Sequence, residues 1–109
     1  MPRATKIVAP VVLVPQTASE FLTQANTIMI ERGKNYDSPK GERSMTRTVT
    51  AFNTITGHKL SESDGWLFME TLKNVRQCTA PSFHRDSAED SVTYAALKAE
   101  ALAAEDHGV

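Results

Sequence analysis

The sequence has little cysteine and almost no surplus charge, and each shortage excludes a class of protein. Cys78 is the only cysteine among the 109 residues, so no disulfide can form within the chain. The histidines His58, His84 and His107 have no spacing typical of a zinc site. A formal net charge of −1 is far from the basic balance of a nucleic-acid-binding domain. We therefore expect neither a disulfide scaffold nor a nucleic-acid-binding protein.

A long apolar run is also missing. The nearest approach is "IVAPVVLVP" at residues 7–15, which Pro10 interrupts. This run is too short to span a bilayer, and no small-x-small cleavage site follows it as in a signal peptide. Proline also disfavours a central strand. We therefore predict a cytoplasmic protein with no membrane contact, in which residues 1–16 form an extended arm on the helical body or on a neighbouring subunit.

Helical signals begin after the arm. Thr17 and Glu20 form the T-x-x-E pattern of a capping box. Apolar residues follow at helical spacing between Phe21 and Met29. Gly33 is predicted to end this first helix, as a glycine just beyond the last turn.

A second helix is predicted over residues 39–56, with Ser38 as its N-cap and Gly57 after its end. Its threonines lower its helix propensity, so it should depend on tertiary packing. The stripe that would supply this packing is Met45, Val49, Phe52 and either Ile55 or Thr56.

The third and fourth helices complete the predicted fold. Ser61 and Asp64 mark the start of a third helix that is apolar nearly all round its first two turns, as a central helix is, and Trp66, Phe68 and Met69 are expected in the core. The fourth helix starts near Arg85 and runs past Leu102. The predicted fold is all-α, a four-helix bundle over residues 17–104 with an extended N-terminal arm and a frayed tail at 105–109.

Charge is divided unevenly between the two halves of the chain. Residues 1–59 hold eight Lys/Arg and four Asp/Glu, whereas residues 60–109 hold four and nine. Such a chain can pair its halves internally or present opposed surfaces.

Two carboxylates of the fourth helix are the main candidates for chemistry. Asp86 and Asp90 are four residues apart and share a helical face with Tyr94. They could hold Mg²⁺ together with substrate phosphates. Alternatively, Asp90 could pair with Lys73 or Arg76 of the third helix in a polar network, and this is the interpretation we favour.

The segment "RGKNYDSPKGERSM" at residues 32–45 is the second candidate. Its glycines can bring backbone N–H groups close to an anion, and the next helix N-terminus adds partial positive charge. The side chains that would bind the anion are Arg32, Lys34, Tyr36 and Lys40. In the alternative interpretation Arg32 complements the end of the first helix, Tyr36 packs in the bundle and the lysines are solvated.

Three stretches carry a resemblance to a known family: "IERGKNYDSP", "MTRTVTAFNTITGHKLSESDGWLFMETLKNVR" and "HRDSAEDSVTYAALKAE". Over about residues 17–100 the chain resembles a family of small proteins of tailed bacteriophages that has no assigned function. The positions that match its pattern are Arg32, Gly33, Tyr36, Lys73, Arg76, Asp86, Asp90 and Tyr94.

That phage family is in turn similar to the MazG-like all-α nucleoside triphosphate pyrophosphatases. The similarity implies a homo-oligomer that holds Mg²⁺ with carboxylates of two neighbouring helices, here Glu70, Asp86 and Asp90. If Lys73 and Arg76 face a pocket, they would instead bind phosphate, and in a pyrophosphatase Arg32 would neutralise the phosphate charge with them. The third helix departs from the enzymes, because Glu70 is its sole interior carboxylate where they have a Glu-Glu-x-x-Glu run.

Two functions follow from these observations. The first is a phage accessory protein of the host cytoplasm that binds a nucleotide or a host protein without turnover. The alternative is a Mg²⁺-dependent nucleoside triphosphate pyrophosphatase. Both include a homo-oligomer, with the arm and the alanine-rich fourth helix as the expected contacts.

Overall fold

Four helices make up the part of the chain that this computed structural model describes, residues 14–36 and 44–106. They are α1 (Ala18–Tyr36), α2 (Ser44–Thr56), α3 (Glu62–Thr79) and α4 (Arg85–Asp106). The all-α prediction is confirmed. Most of the predicted arm, the Ser38 cap and Lys40 lie outside the described residues.

Helix α1 begins with the predicted capping box. The Thr17 hydroxyl accepts a hydrogen bond from the Glu20 N–H at 3.1 Å, and the Glu20 carboxylate accepts one from the Thr17 N–H at 3.2 Å. The prediction that Gly33 ends this helix is wrong, because α1 continues to Tyr36 and buries Gly33. The cost of a helical glycine is about 1 kcal/mol, which the tertiary contacts of the last turns offset.

The α2–α3 connection follows its sequence signals closely. Gly57 ends α2 with a φ of 78°, and its N–H donates to the Asn53 carbonyl at 2.8 Å. The Asn53 side chain then holds the connection by donating to the Leu60 carbonyl and accepting from the Leu60 N–H. Ser61 and Asp64 form the predicted capping box of α3.

The packing order places α3 and α4 at the centre. Helix α4 packs against α3 and α1, and α2 packs against α3. Six buried apolar side chains from α2, α3 and α4 form one cluster: Met45, Val49, Trp66, Tyr94, Leu97 and Ala101. Ala25 of α1 is buried as well. The Tyr94 ring stacks on the Trp66 ring, with centroids 5.7 Å apart.

Helix α2 approaches α3 closely at Gly65. A Cβ atom at this position would lie 2.9 Å from Val49 Cγ1 and would also meet Met45. A glycine is therefore what lets the α2 backbone come this near to α3. This contact buries Met45 and Val49 in the first turns of α2.

Three residues that were expected to pack inside the bundle are exposed instead. Phe68 of α3 is 71% exposed, and Phe52 and Ile55 of α2 are 42% and 83% exposed. The apolar stripe of α2 is longer than its contact with α3, because the buried members are Met45 and Val49. Met69 packs partly against the core as expected.

Helix α4 ends later than predicted, at Asp106. Glu105 in its last turn accepts hydrogen bonds from Ser63, at 3.1 Å from the backbone N–H and at 2.7 Å from the hydroxyl. A carboxylate at a helix N-terminus satisfies donors that have no partner within the helix. Glu105 therefore fastens the end of α4 to the start of α3. No helix in the described ranges is both long and apolar enough to cross a bilayer.

Candidate functional site

Asp90 lies between two cations that come from two other helices. Arg32 Nη2 of α1 is 2.8 Å from Asp90 Oδ1, and Lys73 Nζ of α3 is 3.0 Å from Asp90 Oδ2. The side chains of Asp90 and Lys73 are 13% and 14% exposed, and that of Arg32 is 26% exposed. We call Arg32, Lys73 and Asp90 the Asp90 cluster.

The Asp90 cluster borders the aromatic part of the core. The Arg32 guanidinium lies over the Tyr94 ring, with its central carbon 5.6 Å from the ring centroid. At this distance a cation is attracted by the negative face of the ring. Tyr94 also stacks on Trp66. A change in the Asp90 cluster would therefore also alter the surroundings of the Trp66 ring.

Helical spacing explains why Asp90 reaches this position. Asp90 and Tyr94 are one turn apart on α4, so both face α1 and α3. The interpretation of Asp90 as an ion-pair partner of Lys73 agrees with these contacts. Arg32, which the sequence placed in a connecting segment, is a helical residue and the second partner.

Several candidate residues do not join the cluster. Asp86 is exposed in the first turn of α4, and Arg76 and Lys34 are exposed on their helices. The backbone of Tyr36 ends α1, but its side chain lies outside the described residues, as does all of Lys40.

Glu70 is engaged elsewhere on the α3–α4 seam. Its carboxylate oxygen lies 2.7 Å from Lys98 Nζ of α4. The sequence analysis assigned Glu70 to a metal and did not consider Lys98. Helix spacing alone could not reveal this pair, because it joins two helices.

A further carboxylate of α4, Glu89, was given no role from the sequence and is buried. Its side chain is 6% exposed and lies 2.9 Å from Arg85 Nε, one turn earlier on α4. Opposite charges at positions i and i+4 are a recognised helix pattern, so this pair was detectable from the sequence. The burial of Glu89 was not.

The donor set suits a metal ion poorly. Both oxygens of Asp90 are engaged by cations, as is Glu70, so Mg²⁺ would have to displace Arg32, Lys73 and Lys98. Within the described residues, no group of three His, Cys, Asp or Glu side chains is placed to hold a metal ion. The Mg²⁺ site at Glu70, Asp86 and Asp90 stays a prediction that these ion pairs disfavour.

The Asp90 cluster brings cationic side chains together from two helices. Arg32 of α1 and Lys73 of α3 both reach the carboxylate of Asp90. Lys73 is largely desolvated, and a charge with less water around it interacts more strongly with a bound anion. An acidic group such as a phosphate could therefore bind beside Asp90.

A family described as a domain of unknown function, DUF6378, matches residues 20–102. The chain belongs to the DUF6378 family. The matched range contains the whole Asp90 cluster, together with all of α2 and α3. No curated protein and no solved structure matches the chain. The match to DUF6378 shows neither a bacteriophage origin nor a relationship to the MazG-like enzymes, and both remain predictions.

Proposed function

We propose that this DUF6378 chain is a phage accessory protein on a MazG-like helical scaffold that binds its ligand without turnover. A nucleotide is the ligand class that the charges favour, and a host protein is the other class. The observation that carries this proposal is the Asp90 cluster, in which Arg32 and Lys73 both reach the buried carboxylate of Asp90.

The positions of the cations support a nucleotide. Arg32 can bind phosphate oxygens through two N–H groups at once, and Lys73 adds a compact charge from the opposite helix. Mg²⁺ would arrive with the phosphates of the nucleotide, which commonly complete its coordination shell. In this proposal the protein acts in the host cytoplasm, where nucleotides are available.

The ion pairs also support binding without turnover. A pyrophosphatase would split a nucleoside triphosphate with water into a nucleoside monophosphate and pyrophosphate. That reaction needs carboxylates able to hold the metal ion that polarises the phosphates and activates water. Since Asp90 and Glu70 already neutralise cations of the protein, the enzyme is the weaker alternative.

Binding and turnover can be separated in one set of experiments. The chain has a single tryptophan, Trp66, so its emission reports on the stacked Tyr94 ring and the cluster beyond it. Titration with nucleoside triphosphates, with and without Mg²⁺, should change this emission and should release heat in calorimetry. Chromatography of the same mixtures should show intact triphosphate.

Two variants test the site. Lys73→Gln should weaken nucleotide binding about tenfold or more, as expected for loss of one charged contact worth roughly 1.5–3 kcal/mol. Asp86→Asn, an exposed change on the same face of α4, should leave the affinity unchanged. Circular dichroism should confirm that both variants fold.

Three results would contradict parts of the proposal. If nucleoside monophosphate and pyrophosphate form, the protein is the pyrophosphatase of the alternative hypothesis. If no nucleotide binds, a nucleotide is excluded as the ligand. The host-protein alternative would then require that the chain captures a specific host protein, and that Lys73→Gln or Arg32→Gln abolishes this capture. If Lys73→Gln and Asp86→Asn lowered the nucleotide affinity equally, the ligand would bind at a site other than the Asp90 cluster.

A further inference from the structure

A groove lies between α1 and α3, with α4 at its base. Its volume is about 500 Å³. Protein interiors rarely leave voids much larger than a water molecule, so a groove of this size is a place where a further group can pack. The residues that line it include two from each helix: Phe21, Leu22, Asn74, Gln77, Ala88 and Val92.

The surface of the α1–α3 groove is mostly apolar, and every residue that lines it is uncharged. The Phe21 ring on the α1 side meets the Phe83 ring edge-on, with centroids 6.4 Å apart. Leu22, on the same side, is 65% exposed within the described part of the chain. An apolar occupant would gain free energy by covering these side chains, whereas a charged one would lose its water without a partner.

The α3 side of the groove carries two side-chain amides. Asn74 and Gln77 are three residues apart and therefore neighbours on the helix surface. The Gln77 amide oxygen accepts a hydrogen bond from the His84 N–H at 3.2 Å, so its NH₂ group is the part that can donate to an occupant. Amides of this kind suit an extended peptide, because its backbone groups need partners when they are buried. A helix satisfies these groups internally.

The chain itself supplies such a peptide beside the groove. Ala18, where α1 begins, also lines the groove. The segment at residues 7–13, "IVAPVVL", precedes it by four residues and is apolar and uncharged throughout. Between the two, Pro15 is already buried. Seven extended residues reach roughly 23 Å, which is several times the single turn of α4 between Ala88 and Val92.

We infer that residues 7–13 pack in the α1–α3 groove of their own chain. The short connection favours the segment of the same chain, because a tethered segment has an effective concentration on the order of millimolar. Pro10 suits this position, since it has no N–H that burial would leave without a partner. The inference is independent of the proposed function, because the residues that line the groove do not include those of the Asp90 cluster.

Disulfide trapping in the full chain gives the first test. Cys78, an exposed free thiol, is first replaced by serine. Asn74→Cys is then combined with either Val11→Cys or Val12→Cys, because neighbouring residues of an extended chain point to opposite sides. After mild oxidation in dilute solution, at least one of these two pairs should form a disulfide within a single chain. Peptide mapping by mass spectrometry identifies the bond.

Leu102→Cys replaces Asn74→Cys in the control. Leu102 is half exposed and lies ten residues beyond Val92 on α4, roughly 15 Å from the groove. It should form about tenfold less disulfide with the arm, because its Cβ would be out of bonding range. Equal yields at Asn74 and Leu102 would overturn the inference. A disulfide that joins two chains would also overturn it, since the arm would then bind a second copy.

Thermal unfolding of the full chain gives a second test. An arm variant carries both Val11→Asp and Val12→Asp, so that a charge enters the groove whichever side faces it. This variant and Leu22→Ala should each lower the melting temperature by about 5 °C or more. Combined, they should lower it by less than the sum, because both remove the same contact.

Ile30→Ala is the control for this coupling. Ile30 lies on α1, is half exposed and does not line the groove. Its effect should add to that of the arm variant. Additive effects at Leu22, or equal coupling at Leu22 and Ile30, would overturn the inference.

Discussion

Arg32 and Asp90, 58 positions apart in the sequence, are joined by a 2.8 Å ion pair between α1 and α4. Lys73 of α3 reaches the other oxygen of the same carboxylate. One side chain thus connects three helices, and its charge matters for the stability of the protein.

Asp90→Asn tests this role. Without the negative charge, Arg32 and Lys73 face each other in a partly buried position, and the free energy of unfolding should fall by roughly 2–4 kcal/mol. Urea denaturation followed by circular dichroism measures the loss. Asp86→Asn is the matched control and should change stability by less than about 0.5 kcal/mol. Equal losses in the two variants would show that the cluster contributes nothing specific.

Gly65→Ala tests the close approach of α2 to α3. Overpacking against Met45 and Val49 should cost about 1–3 kcal/mol, partly offset by the roughly 1 kcal/mol gained from better helix propensity. Val49→Ala trims one of the two side chains that the new methyl group would meet, so the double variant should be more stable than the sum of the single effects by about 1 kcal/mol.

Gly57→Ala supplies the control for this cycle. Its φ of 78° makes alanine strained there, but a Cβ at that position would meet nothing within 4 Å. It should therefore lower stability without any coupling to Val49→Ala. If Gly57→Ala coupled to Val49→Ala as strongly as Gly65→Ala does, a steric clash at Gly65 would not explain the coupling.

Glu105→Ala tests the bond between the end of α4 and the start of α3. It removes the acceptor of two Ser63 donors and should cost about 1–2 kcal/mol, as loss of a helix cap does. Asp106→Ala, at the exposed neighbouring position, should be nearly neutral. Thermal unfolding of both variants compares them directly, and equal melting temperatures would contradict the capping role.

The pKa of Glu20 provides a pH-dependent test. Hydrogen bonds from the backbone N–H groups of Gln16 and Thr17 lower it below the ordinary value of 4.5. A lowered carboxylate pKa stabilises the folded state above pH 4.5, and this contribution is lost as pH falls through the folded value.

An NMR titration can follow this group. The Glu20 carboxyl carbon should titrate with a midpoint below 4.5, and the amide signals of Gln16 and Thr17 should shift with the same midpoint. Glu20→Gln should abolish these amide shifts, whereas Glu31→Gln, a change at an exposed residue of the same helix, should leave them in place. Amide signals that do not follow Glu20 would exclude the capping box in solution.

Local signals in the sequence predicted the helix starts well. Both capping boxes, at Thr17 with Glu20 and at Ser61 with Asp64, are present, and Gly57 ends α2 as expected. These features depend on residues within one turn of each other, so the sequence contains the necessary information.

Tertiary relationships were harder to predict. Gly33 was expected to end α1 but is helical, because contacts of its helix with α4 outweigh its propensity. Phe68 was expected in the core, since an apolar helix does not reveal which side its neighbours will cover. At the candidate site, spacing on α4 predicted that Asp90 and Tyr94 share a face. Which cations reach Asp90 depends on how α1 and α3 cross α4, and no local pattern encodes that crossing.

Three side-chain contacts along α3 and α4 share a consequence for helix register. Lys73 bonds to Asp90, Glu70 to Lys98 and Ser63 to Glu105, so the partners on α4 come later in the chain as those on α3 come earlier, as expected for antiparallel helices. Sliding one helix by a single turn, about 5.4 Å, would separate all three pairs together. A purely apolar interface could accommodate such a shift by repacking. These polar contacts instead favour one alignment of α3 and α4 over the alignments shifted by a turn.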